Sequence, residues 1–164
     1  MNEALFLKNV ELFEKHQIFT RTELHSRCEI LLENYCKTVS IEALTMIDMV
    51  NRQIIPAVSR YVTDMTETAL KKRSLCADIC CDMECDLIGR ISKLQNCLYK
   101  KVRQLESELP GTKECADFQS EAEYYRDVVI KTMCEIRECA DELEATVGDT
   151  YWPFPTYVKL MFGM

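Results

Sequence analysis

"TRTELHSRCEILLENYCKTVSIEALTMIDMVNRQIIPAVSRYVTDM", residues 20–65, carries apolar side chains at every third or fourth position. The series consists of Leu24, Cys28, Leu31, Tyr35, Val39, Ala43, Met46, Val50, Ile54, Val58, Tyr61 and Met65. Because an α-helix has about 3.6 residues per turn, this spacing places the series on one side of a helix. It predicts a helix over about residues 21–73, which would be ~80 Å long at ~1.5 Å per residue.

Local signals predict where this long helix begins and where it bends. Thr20 and Glu23 fit a capping box, in which each side chain binds a free backbone N–H of the first turn. Ser40, which follows β-branched residues, could interrupt the helix. Pro56 removes one hydrogen bond of the helix, so we expect a kink at residues 52–56 rather than a helix end.

The segments on either side of this stretch continue the helical spacing and predict helices over residues 3–16, 80–109 and 117–147. An irregular link is expected near residues 74–79, and the turn "PGTKECAD" separates the last two helices. Gly148 follows the last helix and is expected to be its left-handed C-cap. The fold class is therefore predicted to be all-α: an antiparallel helical bundle over residues 1–148, with one long kinked helix.

The composition of the 164 residues is that of a soluble globular domain, with 48% apolar and 29% charged residues. Only four glycines and four prolines are present, which favours few and long helices. The net charge of −7 argues against nucleic acid as a partner, since phosphate binding requires clustered lysine and arginine. No apolar run approaches the ~20 residues that span a bilayer, and the N-terminus does not resemble a signal peptide. We therefore expect a cytoplasmic protein without a membrane partner.

Ten cysteines raise the question of a metal or redox site. The densest group is Cys76, Cys80, Cys81 and Cys85. Zinc ribbons and knuckles need a second half with further ligands, which this sequence lacks. Neighbouring carboxylates such as Asp82 would raise the pKa of these thiols and so weaken a redox role. A cysteine-based metal or redox protein is thus the weakest of the functions considered.

The sequence contains no catalytic motif. A phosphate-binding loop, a dinucleotide-binding glycine pattern and a nucleophile elbow are all absent. The carboxylates of the last helix are Glu135, Glu138, Asp141, Glu142 and Glu144. They lack the Glu-x-x-His pairs of a di-metal bundle and favour a solvated face. No catalytic, cofactor-binding or metal-binding residue is predicted, so on its own residues this chain is not an enzyme.

The final segment, residues 149–164, differs from everything that precedes it. Its sequence is "DTYWPFPTYVKLMFGM", and its aromatic residues are Tyr151, Trp152, Phe154, Tyr157 and Phe162. The two prolines between them stop a helix and favour an extended path. Because the aromatic area would be costly to leave in water, we expect this tail to dock on the bundle or on a catalytic domain outside this sequence. In the first case Trp152 would be buried against residues 21–73 or 117–147.

Two segments, "RCEILLENYCKTVSIEALTMIDMVNRQIIPAVSRY" (27–61) and "VGDTYWPFPTYVKLMF" (147–162), resemble the C-terminal region of type III glutamine synthetases. "LYKK" (98–101) and "YYRDVVIKTMCEIRECADELE" (124–144) are similar to that region too, whereas the cysteine-rich stretch 76–85 is not. The resemblance implies a parent enzyme that uses ATP and Mg to join ammonia to glutamate through a γ-glutamyl phosphate.

The catalytic motifs of that family match no position of this chain, so the resemblance carries over no catalytic residue. It implies instead a helical structural part of the enzyme. The expected partners are the catalytic domain of the same chain and neighbouring subunits of a homo-oligomer. An alternative is a free-standing helical interaction module, such as a coiled-coil dimer. The long helix permits this alternative, but it lacks strict Leu/Ile alternation.

Overall fold

The computed structural model describes residues 3–76, 78–155 and 157–163, and the side chains of 8–76, 78–112, 115–155 and 159–163. Every regular element among these residues is a helix. The α-helices are α1 (Glu3–Lys15), α2 (Arg21–Met49), α3 (Ile55–Leu75), α4 (Asp82–Glu108), α5 (Phe118–Tyr124), α6 (Ile130–Thr146) and α7 (Tyr157–Phe162). Short π-helical segments join α2 to α3 and α5 to α6, and a 3₁₀ segment follows α4. The predicted all-α bundle is confirmed.

The long helix is continuous over residues 21–75, because α2 passes through the π-helical segment Val50–Ile54 directly into α3. It begins at the predicted capping box. The Thr20 hydroxyl accepts a hydrogen bond from the Glu23 N–H at 3.3 Å, and the Glu23 carboxylate accepts one from the Thr20 N–H at 2.8 Å. Two N–H groups that the first turn would otherwise leave unpaired are thereby satisfied.

The π-helical segment lies where the sequence predicted an irregularity. Pro56 has no N–H, so the regular hydrogen bond to the Arg52 carbonyl cannot form. Immediately before it, the Ile55 N–H donates to the Val50 carbonyl, five residues back, which is the π-helical pattern. One extra residue is thus accommodated without ending the helix. At Ser40, in contrast, α2 continues without interruption.

α3 and α4 are joined by a short link and run antiparallel. Next to the link, the Lys72 ammonium pairs with the Glu84 carboxylate. At the other end of α4, the Asn51 side-chain amide donates to the Glu106 carboxylate at 3.3 Å. Contact positions therefore rise along one helix as they fall along the other, which is the register of an antiparallel pair.

α4 also packs antiparallel against α6. The Lys101 ammonium lies 2.5 Å from the Glu135 carboxylate, and the Gln104 amide donates to the Thr132 hydroxyl at 3.4 Å. α5 packs mainly on α2 and reaches α4 at its last residue, where the Tyr124 hydroxyl donates to the Glu108 carbonyl at 3.1 Å. α4 consequently lies against both α3 and α6, and the helix made of α5 and α6 runs in the same direction as residues 21–75.

The hydrophobic core follows this arrangement. Its most completely buried large side chains are Ile91, Leu98, Leu105, Ile136 and Leu143. Three of the five belong to α4, the helix with neighbours on two sides. Because full burial of one such side chain contributes ~1.5–3 kcal/mol, α4 is central to the stability of the bundle. None of the helices in the described part of the chain is long and apolar enough to cross a membrane.

α1 folds back on α2 through a tight turn. Gln17 occupies the left-handed region with a φ of 54°, which reverses the chain after α1. The rings of Phe13 and Phe19 are 5.8 Å apart, and the Arg27 guanidinium lies 4.5 Å from the centre of the Phe19 ring. These contacts attach α1 to the first turns of the long helix.

The end of α6 differs from the expectation of a left-handed glycine. α6 ends at Thr146, and Val147 leaves the helix with an extended backbone (φ −78°, ψ 139°). Gly148 does not have a positive φ, so the predicted left-handed C-cap is wrong. Its carbonyl instead accepts hydrogen bonds from the N–H groups of Tyr151 at 2.8 Å and Trp152 at 3.3 Å. A turn held by the residues that follow thus replaces the glycine cap.

Two further boundaries differ from the sequence prediction. α3 continues to Leu75 and α4 begins at Asp82, so the link lies about two residues beyond the predicted 74–79. The tail is not extended throughout, because its last part forms the short helix α7. α7 begins after Pro155, and a proline before the start of a helix does not prevent that helix from forming.

Candidate interaction surface

The first half of the tail packs against α3. The Tyr151 hydroxyl donates a hydrogen bond to the Asp64 carboxylate, which raises the pKa of Tyr151 above its usual value. The Tyr151 ring lies 5.1 Å from the Tyr61 ring at an interplanar angle of 67°, an edge-to-face arrangement. The next residue, Trp152, is only 8% exposed and belongs to the hydrophobic core. These contacts attach the start of the tail to the bundle.

The second half of the tail presents apolar side chains to solvent. Leu160, Met161 and Phe162 of α7 are 67%, 76% and 65% exposed. An ion pair of 2.7 Å between Lys159 and Asp149 joins α7 to the turn before it. Of the five predicted docking residues, Tyr151, Trp152 and Phe154 lie against the bundle, Phe162 is exposed, and the side chain of Tyr157 lies outside the described residues. A docking role for this set stays a prediction.

α2 carries apolar side chains on the side that faces away from the bundle. Ile30, Ile41 and Leu44 are 53%, 65% and 56% exposed. At about 100° per residue, their spacing places all three on one side of the helix. Val39 and Ala43, on the opposite side, are buried. We call Ile30, Ile41 and Leu44 the outer face of α2.

Charged side chains lie within and beside the outer face, and those that follow are paired along the helix. Glu33 binds Lys37 at 2.7 Å, and Asp48 binds Arg52 at 2.7 Å, each pair being four residues apart. Each charge is therefore neutralised by its own neighbour. The outer face thus offers apolar area without a strong local charge, which suits a protein partner better than a charged ligand.

The cysteines of the link, which the sequence left open as a metal site, differ in their exposure. Cys76, Cys80 and Cys85 are exposed, whereas Cys81 is buried and its thiol donates to the Ala69 carbonyl at 3.7 Å. Among the residues whose side chains are described, no group of three or more His, Cys, Asp or Glu is placed to hold a metal ion.

An ion pair with a buried carboxylate joins α3 to α4 next to this link. The Glu84 side chain is 2% exposed, and its partner Lys72 is 39% exposed. The hydrogen bond between them lowers the pKa of Glu84 and raises the pKa of Lys72. Sequence reasoning missed this pair, because Glu84 lies among other acidic residues that are solvated and only the packing of α3 on α4 distinguishes it.

A pair of thiols was also missed by the sequence analysis. Cys97 of α4 and Cys139 of α6 approach each other to 3.2 Å between their Sγ atoms. Burial is the main cause that raises the pKa of Cys139 to about 12, and the hydrogen bond to Cys97 adds to it. Forty-two residues separate the two cysteines in the sequence, so only the register between α4 and α6 could have brought them together.

The sequence of this chain matches a known protein family. Residues 1–73, which include α1, α2 and most of α3, match the family described as the glutamine synthetase C-terminal domain. The chain is 32% identical over 157 residues to the glutamine synthetase of Butyrivibrio fibrisolvens, an alignment that covers 96% of this chain. It is 28% identical over 162 residues to the type-3 glutamine synthetase of Dictyostelium discoideum, which covers 94% of this chain.

A third relative, the glutamine synthetase of Bacteroides fragilis, is 27% identical over 151 residues and covers 89% of the chain. The alignments take in 22%, 22% and 21% of the three relatives, so the chain spans about a fifth of their length. The matched domain and the aligned relatives agree, and the chain belongs to the C-terminal region of the type III glutamine synthetases.

Proposed function

We propose that this chain is the structural and assembly domain of a glutamine synthetase, and that the outer face of α2 docks on the catalytic part of the same enzyme. The observation that carries the proposal is the exposure of Ile30, Ile41 and Leu44 on one apolar side of α2. All three lie within residues 1–73, the part that matches the family's C-terminal domain.

α2 has apolar side chains on two opposite sides, but the bundle covers only one of them. Cys36, Val39 and Ala43 are buried on the inner side, where α2 packs on α5. A helix that is apolar on opposite sides is normally buried on both. Because the chain accounts for 22% of the length of its relatives, the remainder of such an enzyme is large enough to supply the second partner.

The tail would supply a separate contact. Tyr151 and Trp152 hold its first half on the bundle, while Phe162 at its end remains available to a partner. In this proposal the tail is fixed at one end and docks at the other. Neighbouring subunits of a homo-oligomer are the second set of surfaces that such a domain would contact.

The activity proposed for the whole enzyme is the synthesis of glutamine from glutamate, ammonia and ATP, with Mg as the metal, in the cytoplasm. The described residues of this chain do not fit the Mg site, since no group of three or more potential ligands converges among them. ATP and Mg would therefore bind in the remainder of the enzyme. This chain would supply contact area and shape rather than reacting groups.

The test compares two variants of the full-length enzyme, each with a single leucine replaced by asparagine. Leu44→Asn alters the outer face, and Leu75→Asn, its control, alters a leucine that is 84% exposed at the end of α3. We expect Leu44→Asn to weaken assembly roughly tenfold, since loss of a buried apolar contact costs at least ~1.4 kcal/mol. Light scattering over a dilution series and the rate of glutamine formation measure the two consequences.

The control separates docking from a general effect of a polar substitution. If Leu44→Asn and Leu75→Asn leave assembly and activity equally unchanged, the outer face does not dock and the proposal is wrong. If the 164-residue chain alone forms a defined dimer that only Leu44→Asn dissociates, the outer face pairs with a second copy, as in the alternative of a free-standing interaction module.

A further inference from the structure

Two helices of the bundle place a pair of thiols within reach of each other. The Sγ atoms of Cys97 on α4 and Cys139 on α6 are 3.2 Å apart, and both cysteines are free thiols. A disulfide bond has an S–S length of about 2.05 Å, so its formation requires an approach of only ~1.2 Å. Small rotations of the two side chains can supply this movement without separating the helices.

The pair is also accessible and held in register. Cys97 is exposed and Cys139 is partly exposed, so a small oxidant can reach them. One helical turn away on each helix, Lys101 and Glu135 form an ion pair across the same interface. Because this ion pair and the hydrogen bond from Gln104 to Thr132 join α4 to α6, the two thiols remain opposite each other.

We propose that Cys97 and Cys139 are a reversible disulfide site that reacts with low-molecular-weight disulfides such as glutathione disulfide. In the first step the Cys97 thiolate attacks one sulfur of glutathione disulfide, forms a mixed disulfide and releases one glutathione thiolate. In the second step Cys139 gives up its proton and attacks the Cys97 sulfur, which releases the second glutathione. Two protein thiols are oxidised and one glutathione disulfide is reduced to two glutathione molecules.

The geometry distinguishes the roles of the two thiols. Cys97 is exposed, whereas Cys139 is only partly exposed. Burial raises the pKa of Cys139 to about 12, so its thiol retains the proton more strongly than an exposed thiol does. Cys97, the more exposed of the two, is therefore the attacking thiol, and Cys139 is the resolving thiol.

The experiment equilibrates the protein in glutathione buffers of increasing oxidised fraction, blocks the remaining thiols by alkylation and maps the peptides by mass spectrometry. We expect a Cys97–Cys139 link in at least about tenfold excess over links of Cys97 to any other cysteine, because a neighbouring thiol has a high effective concentration. The midpoint of thermal unfolding should rise by roughly 5 °C or more on oxidation, since the link closes a long loop.

Two variants make the assignment specific. With Cys139→Ser, Cys97 should retain one glutathione, because no resolving thiol is present. With Cys134→Ser, which removes an exposed cysteine of the same helix, the link should form as in the unaltered protein. The proposal is overturned if Cys97 and Cys139 remain open to alkylation in oxidising buffer, or if oxidation links only the cysteines of residues 76–85.

Discussion

The Glu84 carboxylate shows how much a single residue depends on its neighbour. It is 2% exposed, and Lys72 supplies the opposite charge from α3. A carboxylate in such a position remains charged only if a partner replaces the water that it has lost. Exposed pairs such as Lys71–Glu67, in which the carboxylate side chain is 57% exposed, do not carry this requirement.

Glu84→Gln is therefore expected to lower the free energy of unfolding at pH 7, because a neutral amide would leave the Lys72 ammonium without its counter-charge. The pKa of Glu84 is lowered from its usual 4.5, so its contribution is complete above pH 4.5 and is lost as the pH falls through the lowered pKa. The pKa of Lys72 is raised above 10.5, so its contribution is complete below that pH and is lost in stronger base. Urea unfolding at several pH values measures the difference between the two proteins.

Glu67→Gln is the matched control for this substitution. Its pair with Lys71 lies within one helix and in water, so the change should be within about 0.5 kcal/mol. In strong acid both proteins are neutral at position 84. If the difference in their free energy of unfolding were then as large as at pH 7, the charge of Glu84 would not be the cause of that difference.

Single-residue features were predictable from the sequence where their partners are near in the chain. Thr20 and Glu23 are three residues apart, so their hydrogen bonds to each other depend only on the local backbone. The prediction for Gly148 was wrong because the turn after α6 is held by Tyr151, which packs against Tyr61 of α3, and by Trp152, which belongs to the core. Periodicity can place apolar residues on a helix, but a helix with two apolar sides does not reveal which side the bundle covers.

At the scale of the element, the capping box is expected to stabilise the start of α2. Thr20→Ala removes the hydroxyl that accepts from the Glu23 N–H, and loss of such a cap costs about 1 kcal/mol. Hydrogen exchange of the first turn should accelerate, and urea unfolding should show the loss of stability. This prediction concerns the helix end and not the core.

Thr45→Ala provides the comparison within the same helix. The Thr45 hydroxyl donates to the Ile41 carbonyl at 2.7 Å on the exposed side of α2, a carbonyl that the helix already pairs. Its removal should change the free energy of unfolding by no more than about 0.5 kcal/mol. Equal losses in the two variants would mean that the capping geometry contributes nothing beyond an ordinary hydroxyl.

The interruption of the long helix was predictable in position but not in form. Pro56 must remove a hydrogen bond, whatever the surrounding structure. Whether the helix then bends, ends or takes in an extra residue depends on how α2 and α3 pack on the bundle. Here Val50 and Ile54, the first and last residues of the π-helical segment, are both buried, so the extra residue keeps the apolar sides of α2 and α3 directed at the same core.

At the scale of the whole molecule, the register between α4 and α6 is the feature that the sequence predicted least well. Helices over 80–109 and 117–147 with a tight turn would place Cys97 opposite a residue near 129. In the structure it lies opposite Cys139. The offset arises because a 3₁₀ segment follows α4 and because α5 packs mainly on α2 and reaches only the last residue of α4. The hydrophobic periodicity of a sequence predicts helices, but it does not predict a 3₁₀ segment between two helices or the helix on which α5 packs.

The tail connects the end of the chain to the middle of α3, and its contribution to the whole bundle can be measured at its only tryptophan. Trp152→Ala should lower the free energy of unfolding by about 3 kcal/mol, since the side chain is 8% exposed and belongs to the core. Phe162→Ala, at a position that is 65% exposed in the same tail, should change it by less than about 0.5 kcal/mol. Because the sequence contains one tryptophan, fluorescence of the Phe162→Ala protein should remain blue-shifted until the bundle unfolds. A red shift at low urea, before loss of helical circular dichroism, would instead mean that the tail detaches independently and is not part of the core.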